Sequence, residues 1–264
     1  MTASTKRAQN YSRRILIGLA VLIAVLFFAQ AFQKGLMPVM ENLGNSEMLH
    51  AIGLTAGIAL ITVPVNLVFG IMLAWCSARF DFPGKQWLLA ATDIPFAVSP
   101  VVAGLAYLLW YGANGPLAPW LEASQIQILF AWPGMVLVTI FVTCPFVARE
   151  LIPVMQSRGA AEEEAAILLG ASGWQMFRYV TLPNISWALL YGVLLTNARA
   201  IGEFGAVSVV SGSIRGETMT LPLQIELLEQ DYNTVGAFTA AAALSLLAVL
   251  TLLIKKKLQG RRRA

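Results

Sequence analysis

One histidine, two cysteines and a 12% share of charged residues are what this 264-residue chain has little of, and each shortage excludes a class of chemistry. His50 has no second histidine and no cysteine or carboxylate set beside it, so neither a metal site nor a Ser/His/Asp arrangement is available. It opens an apolar run and reads as an interfacial residue. Cys76 and Cys144 lie inside apolar runs, too few and too separated for a disulfide framework or a zinc site, and read as reduced packing residues. There is no Gly-rich Lys-Ser/Thr phosphate loop. No catalytic residue, no metal and no cofactor is therefore expected, and any ATP must be handled by a partner.

What the chain has in plenty is apolar sequence. Hydrophobic residues make up 58% and mean hydropathy is +0.70, against a charged share of roughly 25% in soluble domains. Six stretches each reach the roughly 20 helical residues that cross about 30 Å of hydrocarbon: near 15 to 33, 51 to 77, 92 to 112, 128 to 148, 186 to 210 and 234 to 254. Lipid leaves backbone groups no partner outside a helix or a closed barrel, and these runs lack the alternation of barrel strands. The expected fold is an all-α polytopic membrane helix bundle of six transmembrane helices, one domain over 1–264 without internal repeat or low-complexity tract.

The basic surplus, 18 Lys plus Arg against 14 Asp plus Glu, lies beside hydrophobic spans, which points to the membrane and away from nucleic acid. With the N-terminus inside, the inner segments hold Lys6, Arg7, Arg13 and Arg14, then Arg79 and Lys85, then Arg149, Arg158 and Arg178, then Lys255, Lys256, Lys257, Arg261, Arg262 and Arg263. The outer loops keep Lys34 and Arg215. Both termini are thus expected in the cytoplasm, residues 1–14 and 255–264 forming basic ends. The first span also resembles a cleavable signal peptide ending at Ala29-Gln30-Ala31, but its apolar sequence runs for about a membrane crossing, so a retained helix is expected.

Pro64, Pro100, Pro133 and Pro145 fall within spans, where proline removes a donor and tends to kink. Leu221 to Tyr232 places Leu223, Leu227, Ile225 and Leu228 on a helix with acids between, and reads as a short interfacial helix or partner contact.

Three places can carry function. Residues 158–183 form a polar, Gly-punctuated island between two spans. Its helix begins near Gly159 with Glu162, Glu163 and Glu164 complementing the dipole, and Gly170 can take the left-handed turn that ends it. Ala165, Ala166, Leu168 and Leu169 put apolar side chains on a loop helix that needs cover, so docking is favoured over a merely solvated hairpin. In the fifth span, Arg199 and Glu203 are four apart and share a helical face near mid-membrane. A charge there costs about 2.5–3.5 kcal/mol on insertion scales, so the pair must face inward; Arg199 either meets an anionic substrate or serves as half of a structural clasp. Small neighbours, Ala198, Ala200, Gly202, Gly205 and Ala206, allow close helix approach. Asp93, just before Ile94 and Pro95, suits an N-cap with proline in the first turn, or else a place in a pathway.

Glu164-Ala165-Ala166, three residues to Gly170, nine to Val180 and on to Leu182-Pro183 resemble the E-A-A, three, G, nine, I-x-L-P loop of ABC importer permeases, with Val180 in place of Ile. The stretches DIPFAVSPVVAGL (93 to 105), WPGMVLVTIFVTCPFV (132 to 147) and NARAIGEFGAVSVVSGSIRGETM (197 to 219) further resemble the CysW type of permease subunit of bacterial sulfate/thiosulfate ABC importers. This resemblance implies a type I importer permease of the bacterial inner membrane, with a coupling helix in the Glu-Ala-Ala loop. It also implies four kinds of partner: membrane lipid, a sister CysT-like permease, two CysA-like ATP-binding subunits and a periplasmic sulfate/thiosulfate-binding protein. A permease for another oxyanion such as molybdate, or a proton-coupled secondary transporter, is the alternative; the latter commonly shows repeats, and none is visible here.

Overall fold

The computed structural model describes residues 36–261, with side chains over 37–247. Among the described residues all regular structure is helical. The first expected span, the basic start of the chain and the Ala29-Gln30-Ala31 segment lie outside them.

A short helix α1 (Leu36–Gly44) leads into α2 (Ser46–Arg79), the longest described element at 34 residues. Asn45 caps α2 by accepting from the Glu47 N–H at 3.1 Å, and Glu47 and Arg79 put an acid at its start and a base at its end. One stripe, through Ala51, Ile58, Thr62, Asn66, Leu73 and Ser77, is buried, while Leu60, Val68 and Met72 face outward. At 1.5 Å per residue α2 is about 50 Å long, so it overruns a hydrocarbon layer of roughly 30 Å and carries Arg79 past it.

The next apolar stretch, expected as one span over 92 to 112, is two helices instead. Helices α3 (Lys85–Ala97) and α4 (Pro100–Tyr111) meet at a bend of 106° across Val98 and Ser99. Pro100, at the first position of α4, starts a helix and does not kink one. Pro133 and Pro145 do the same for α6 (Trp132–Thr143) and α7 (Pro145–Arg158), which follow a small helix α5 (Ala118–Ala123). Of the four prolines Pro64 lies in a helix interior, and Pro145 at the junction where α6 runs on into α7. Helices α6 and α7 continue one another as a 27-residue rod, longer than the expected 128 to 148.

After α7 come α8 (Ala161–Leu168), α9 (Gly173–Met176), a π-helical turn over Phe177–Thr181 and α10 (Leu182–Ile201). The expected fifth span, 186 to 210, also breaks: α10 ends at Ile201, Gly202 to Phe204 are irregular, and α11 (Gly205–Ser211) follows. Helices α12 (Leu221–Gln230) and α13 (Thr234–Arg261) complete the described residues. Among the described residues three helical stretches, Ser46–Arg79, Trp132–Arg158 and Gly173–Ile201, are long and apolar enough to cross a membrane, or four if the bent α3–α4 pair counts as one.

Val147, Leu151 and Met155 of α7 pack with Ala74 of α2 and Ile185 of α10. Glycines let these helices close: a Cβ on Gly70 would lie 2.5 Å from the Val147 Cβ, and one on Gly192 3.1 Å from the Val147 Cα. A second cluster joins α2, α4, α6, α11 and α12 through Ile58, Ala103, Met135, Val138, Val207, Val210 and Leu223. Helix α12 is present as expected, but Leu221 and Leu223 are buried within the protein, and Thr55 Oγ1 accepts from the Leu221 N–H at 2.9 Å. Cys76 and Cys144 are free thiols; Cys76 is exposed, which corrects its reading as a packing residue. His50 is exposed, its Nε2 3.0 Å from the Glu217 carbonyl oxygen.

Candidate functional site: a hung helix and a broken span

Helix α8 hangs between two left-handed glycines. Gly159 (φ +69°) follows α7, and Gly170 (φ +87°) follows α8. Gly170 N–H donates to Ile167 O at 2.9 Å and Ala171 N–H to Ala166 O at 3.0 Å, which closes the helix end in the manner expected of a left-handed cap. Ser172 then caps α9, accepting from Gln175 N–H while the Gln175 side chain accepts from Ser172 N–H. The turn over Phe177–Thr181 has Leu182 N–H reaching back to Phe177 O, and Leu182 and Pro183 open α10.

From the end of α8 to the π turn, the loop exposes large apolar and aromatic side chains. Leu168 is 87% exposed, Leu169 89% and Trp174 67%, with Ile167 and Tyr179 also exposed. Glu164 and Ala165 are exposed and Ala166 is half-buried. Glu164 has no side-chain partner among the described residues, so its charge is available to a cation from outside. Side chains of this size left uncovered on a polar loop need something to cover them.

Glu163, unremarked in the sequence beyond its negative charge, is the one buried residue of α8. Arg79 grips its carboxylate with two N–H groups, Nε to Oε2 at 2.7 Å and Nη2 to Oε1 at 3.0 Å, and Thr181 Oγ1 donates to Oε1 at 2.8 Å. Arg79 Nη1 donates to the Met155 carbonyl at 2.9 Å. Close by, Arg158 Nη1 donates to Asn184 Oδ1 at 2.9 Å, and Asn184 Nδ2 donates to Glu162 Oε2. The base of the loop is thereby tied to α2, α7 and α10. Arg79 counted in the sequence only as one more inner charge; its partner is 84 residues away and no local signal links them.

The second constellation lies at the break in the fifth span. Arg199 Nη1 and Glu203 Oε2 are 2.5 Å apart, as the spacing of four predicts, although Glu203 falls just past the helix. Glu203 Oε1 accepts from Ala206 N–H at 3.0 Å, so the same carboxylate caps the start of α11. Its side chain is 1% exposed and that of Arg199 32%. A Cβ on Gly205 would come within 3.2 Å of the Pro100 Cβ, and one on Gly104 within 2.8 Å of Ala206 O, so the starts of α4 and α11 are pressed together. The two breaks in the apolar spans meet where Gly205 faces Pro100.

Asp93 does not cap a helix. It lies inside α3, which begins at Lys85 after the left-handed Gly84 (φ +92°), and Pro95 is interior as well. Asp93 Oδ1 instead accepts from Arg149 Nη2 at 2.8 Å and Nε at 3.1 Å, clasping α3 to α7, and the Arg149 guanidinium stands 4.1 Å over the Phe96 ring. No group of three or more potential metal ligands occurs among the described residues.

Comparison with known proteins bears on the family and the fold. The profile described as binding-protein-dependent transport system inner membrane component matches residues 66–264. The sulfate transport system permease protein CysW of Escherichia coli (strain K12) is 70% identical over 97% of this chain and 90% of its own. That of Synechocystis sp. (strain ATCC 27184 / PCC 6803 / Kazusa) is 54% identical over 93% and 89%. Among solved structures, a bacterial ABC transporter involved in the import of the acidic polysaccharide alginate superposes with a TM-score of 0.69 at 15% identity, covering 97% of this chain and 99% of that one. That likeness bears on the fold, while the sequence matches establish kinship: the chain belongs to the binding-protein-dependent transport system inner membrane component family.

Proposed function

We propose that this chain is the multi-pass permease subunit of an ATP-driven importer of sulfate and thiosulfate, resident in a bacterial inner membrane with both termini in the cytoplasm. It forms half of the translocation pathway beside a sister CysT-like permease, takes its anion from a periplasmic sulfate/thiosulfate-binding protein and is driven by two CysA-like ATP-binding subunits. The observation that carries the driving role is α8 itself: a short helix between two left-handed glycines, anchored on one side by Glu163 and presenting Glu164, Leu168 and Leu169 outward. Glu164, Ala165, Ala166 and Gly170 form the contact with the ATPase, and Leu182 and Pro183 return its motion to α10. The reaction is alternating access: ATP binding closes the ATPase pair, the coupling helices move, the permease pair opens outward to accept the anion, and hydrolysis resets it.

Reconstituted with its partners, the complex takes up labelled sulfate only with ATP and loaded binding protein. Gly170→Val, which puts a branched side chain at φ +87°, leaves the complex assembled and hydrolysing ATP but lowers uptake; normal uptake by that variant would remove the role of this turn. Preference for molybdate over sulfate in the same assay would replace the substrate and keep the rest.

For the anion path the supporting observation is the unequal exposure of the central pair. Glu203 is committed to Arg199 and to the Ala206 N–H, whereas a third of the Arg199 side chain stays open. Irregular backbone at membrane depth is tolerated where protein buries it or where it borders a water-filled cavity, and Arg199 supplies donors suited to a tetrahedral oxyanion there. Asp93, exposed and paired with Arg149, is given a clasping role between α3 and α7. The double variant Arg199→Met with Glu203→Gln removes both charges together, so it folds and assembles but does not transport. Uptake by it at the native rate would leave Arg199 as architecture only.

A further inference from the structure

Helix α8 has two kinds of attachment to the rest of the protein. Through the chain it joins α7 and α9 at Gly159 and Gly170, and an added Cβ at either would have nothing within 4 Å, so both are open joints. Across space, its single buried side chain, Glu163, enters the node made by Arg79 of α2, the Met155 carbonyl of α7 and Thr181 of the π turn.

Fold stability is a weak reason for such a node. A buried ion pair roughly breaks even against well-packed apolar residues of the same volume. What apolar contact does not supply is direction: a two-pronged guanidinium–carboxylate pair fixes both distance and orientation, so neither partner can slide or turn without the other. Arg79 is the last residue of α2, the helix whose buried stripe runs through the packed cores against α6, α7 and α10. A displacement of α8 reaching Glu163 is therefore delivered to the end of the longest helix in the described chain.

We propose that Arg79 and Glu163 are a positioning pair that makes α2 move with α8, giving ATPase motion a second route into the permease besides the chain through α7 and α10. The inference rests on the coupling role proposed above for α8.

The test is the ratio of ATP hydrolysed to sulfate taken up by the complete reconstituted complex, measured for the unaltered chain, for Glu163→Gln and for the double variant Arg79→Met with Glu163→Leu. The double variant leaves no unpaired buried charge, so it assembles; Glu163→Gln keeps the shape and the Thr181 bond while weakening the grip of Arg79. The expected result is persistent ATP hydrolysis with the ratio raised about fivefold or more in the double variant, the lower end of coupling between linked sites, and a smaller rise in Glu163→Gln. A purely structural clasp would lower the amount of assembled complex and leave the ratio unchanged. An unchanged ratio in both variants overturns the inference and leaves the proposed function standing. Absence of ATP-driven uptake by the unaltered complex overturns both.

Discussion

The α8 end of the molecule and the broken span at its centre each hold a buried carboxylate gripped by an arginine, on opposite plans. At the centre, Arg199 and Glu203 are four residues apart, and the carboxylate turns back to cap the next helix, so the pair shapes one local break. At the α8 end, Arg79 and Glu163 are 84 residues apart, and their node takes in α2, α7, α8 and the π turn. A local pair settles where a helix stops; a distant pair settles how elements sit against one another. Losing a partner should therefore be felt differently in the two places.

The largest effect is expected from Arg79→Ala. It strands Glu163 with Thr181 as its remaining side-chain partner and should lower stability by about 3–5 kcal/mol, the range for breaking a buried pair on one side. Denaturant unfolding in detergent measures it, and a loss below about 1 kcal/mol would show that water reaches Glu163 and that the two pairs are alike. Glu203→Ala should cost less, about 1–2 kcal/mol for the lost cap, because a third of the Arg199 side chain is already outside the protein interior. A Glu203→Ala variant less stable than Arg79→Ala would reverse the comparison.

The smallest effect belongs to a third pair, exposed and local. Lys85 Nζ donates to Asp81 Oδ1 at 2.8 Å, and this hydrogen bond, with the charge of Lys85, holds the Asp81 carboxyl below its ordinary 3.8. A lowered carboxylate pKa contributes stability above the unfolded value, lost as pH falls through the folded one. Asp81 is fully exposed, so Lys85→Ala should raise its titration midpoint while leaving the unfolding transition at neutral pH in place. A clear shift of that transition would mean the loop before α3 carries more of the fold than its exposure indicates.

Helix class, the hung helix with its glycine cap and the Arg199–Glu203 pairing were all legible in the sequence, since each follows from hydropathy or from spacing within one element. The breaks at Val98–Ser99 and Gly202–Phe204 were not, because apolar sequence runs through both and hydropathy is blind to backbone direction. The capping reading of Asp93 fails for a related reason. Ile94-Pro95 looks like a helix start, but α3 begins at Lys85 and tolerates Pro95, the aspartate finding Arg149 instead. Arg79 with Glu163 was out of reach: each looked like an ordinary loop charge, and only tertiary packing brings them together.

The π turn gives the loop's sequence spacing a geometric meaning. Its Leu182 N–H bonds one residue further back than an α-helix allows, to Phe177 O, so the turn contains an extra residue and resets the phase of α10 against α9. Each residue of a helix advances it by about 100° and 1.5 Å. The nine residues between Gly170 and Val180 thus act as an angular setting. Removing one would swing Thr181 off the Glu163 carboxylate and point the following Leu182-Pro183 helix in another direction, with every residue type of the motif still in place.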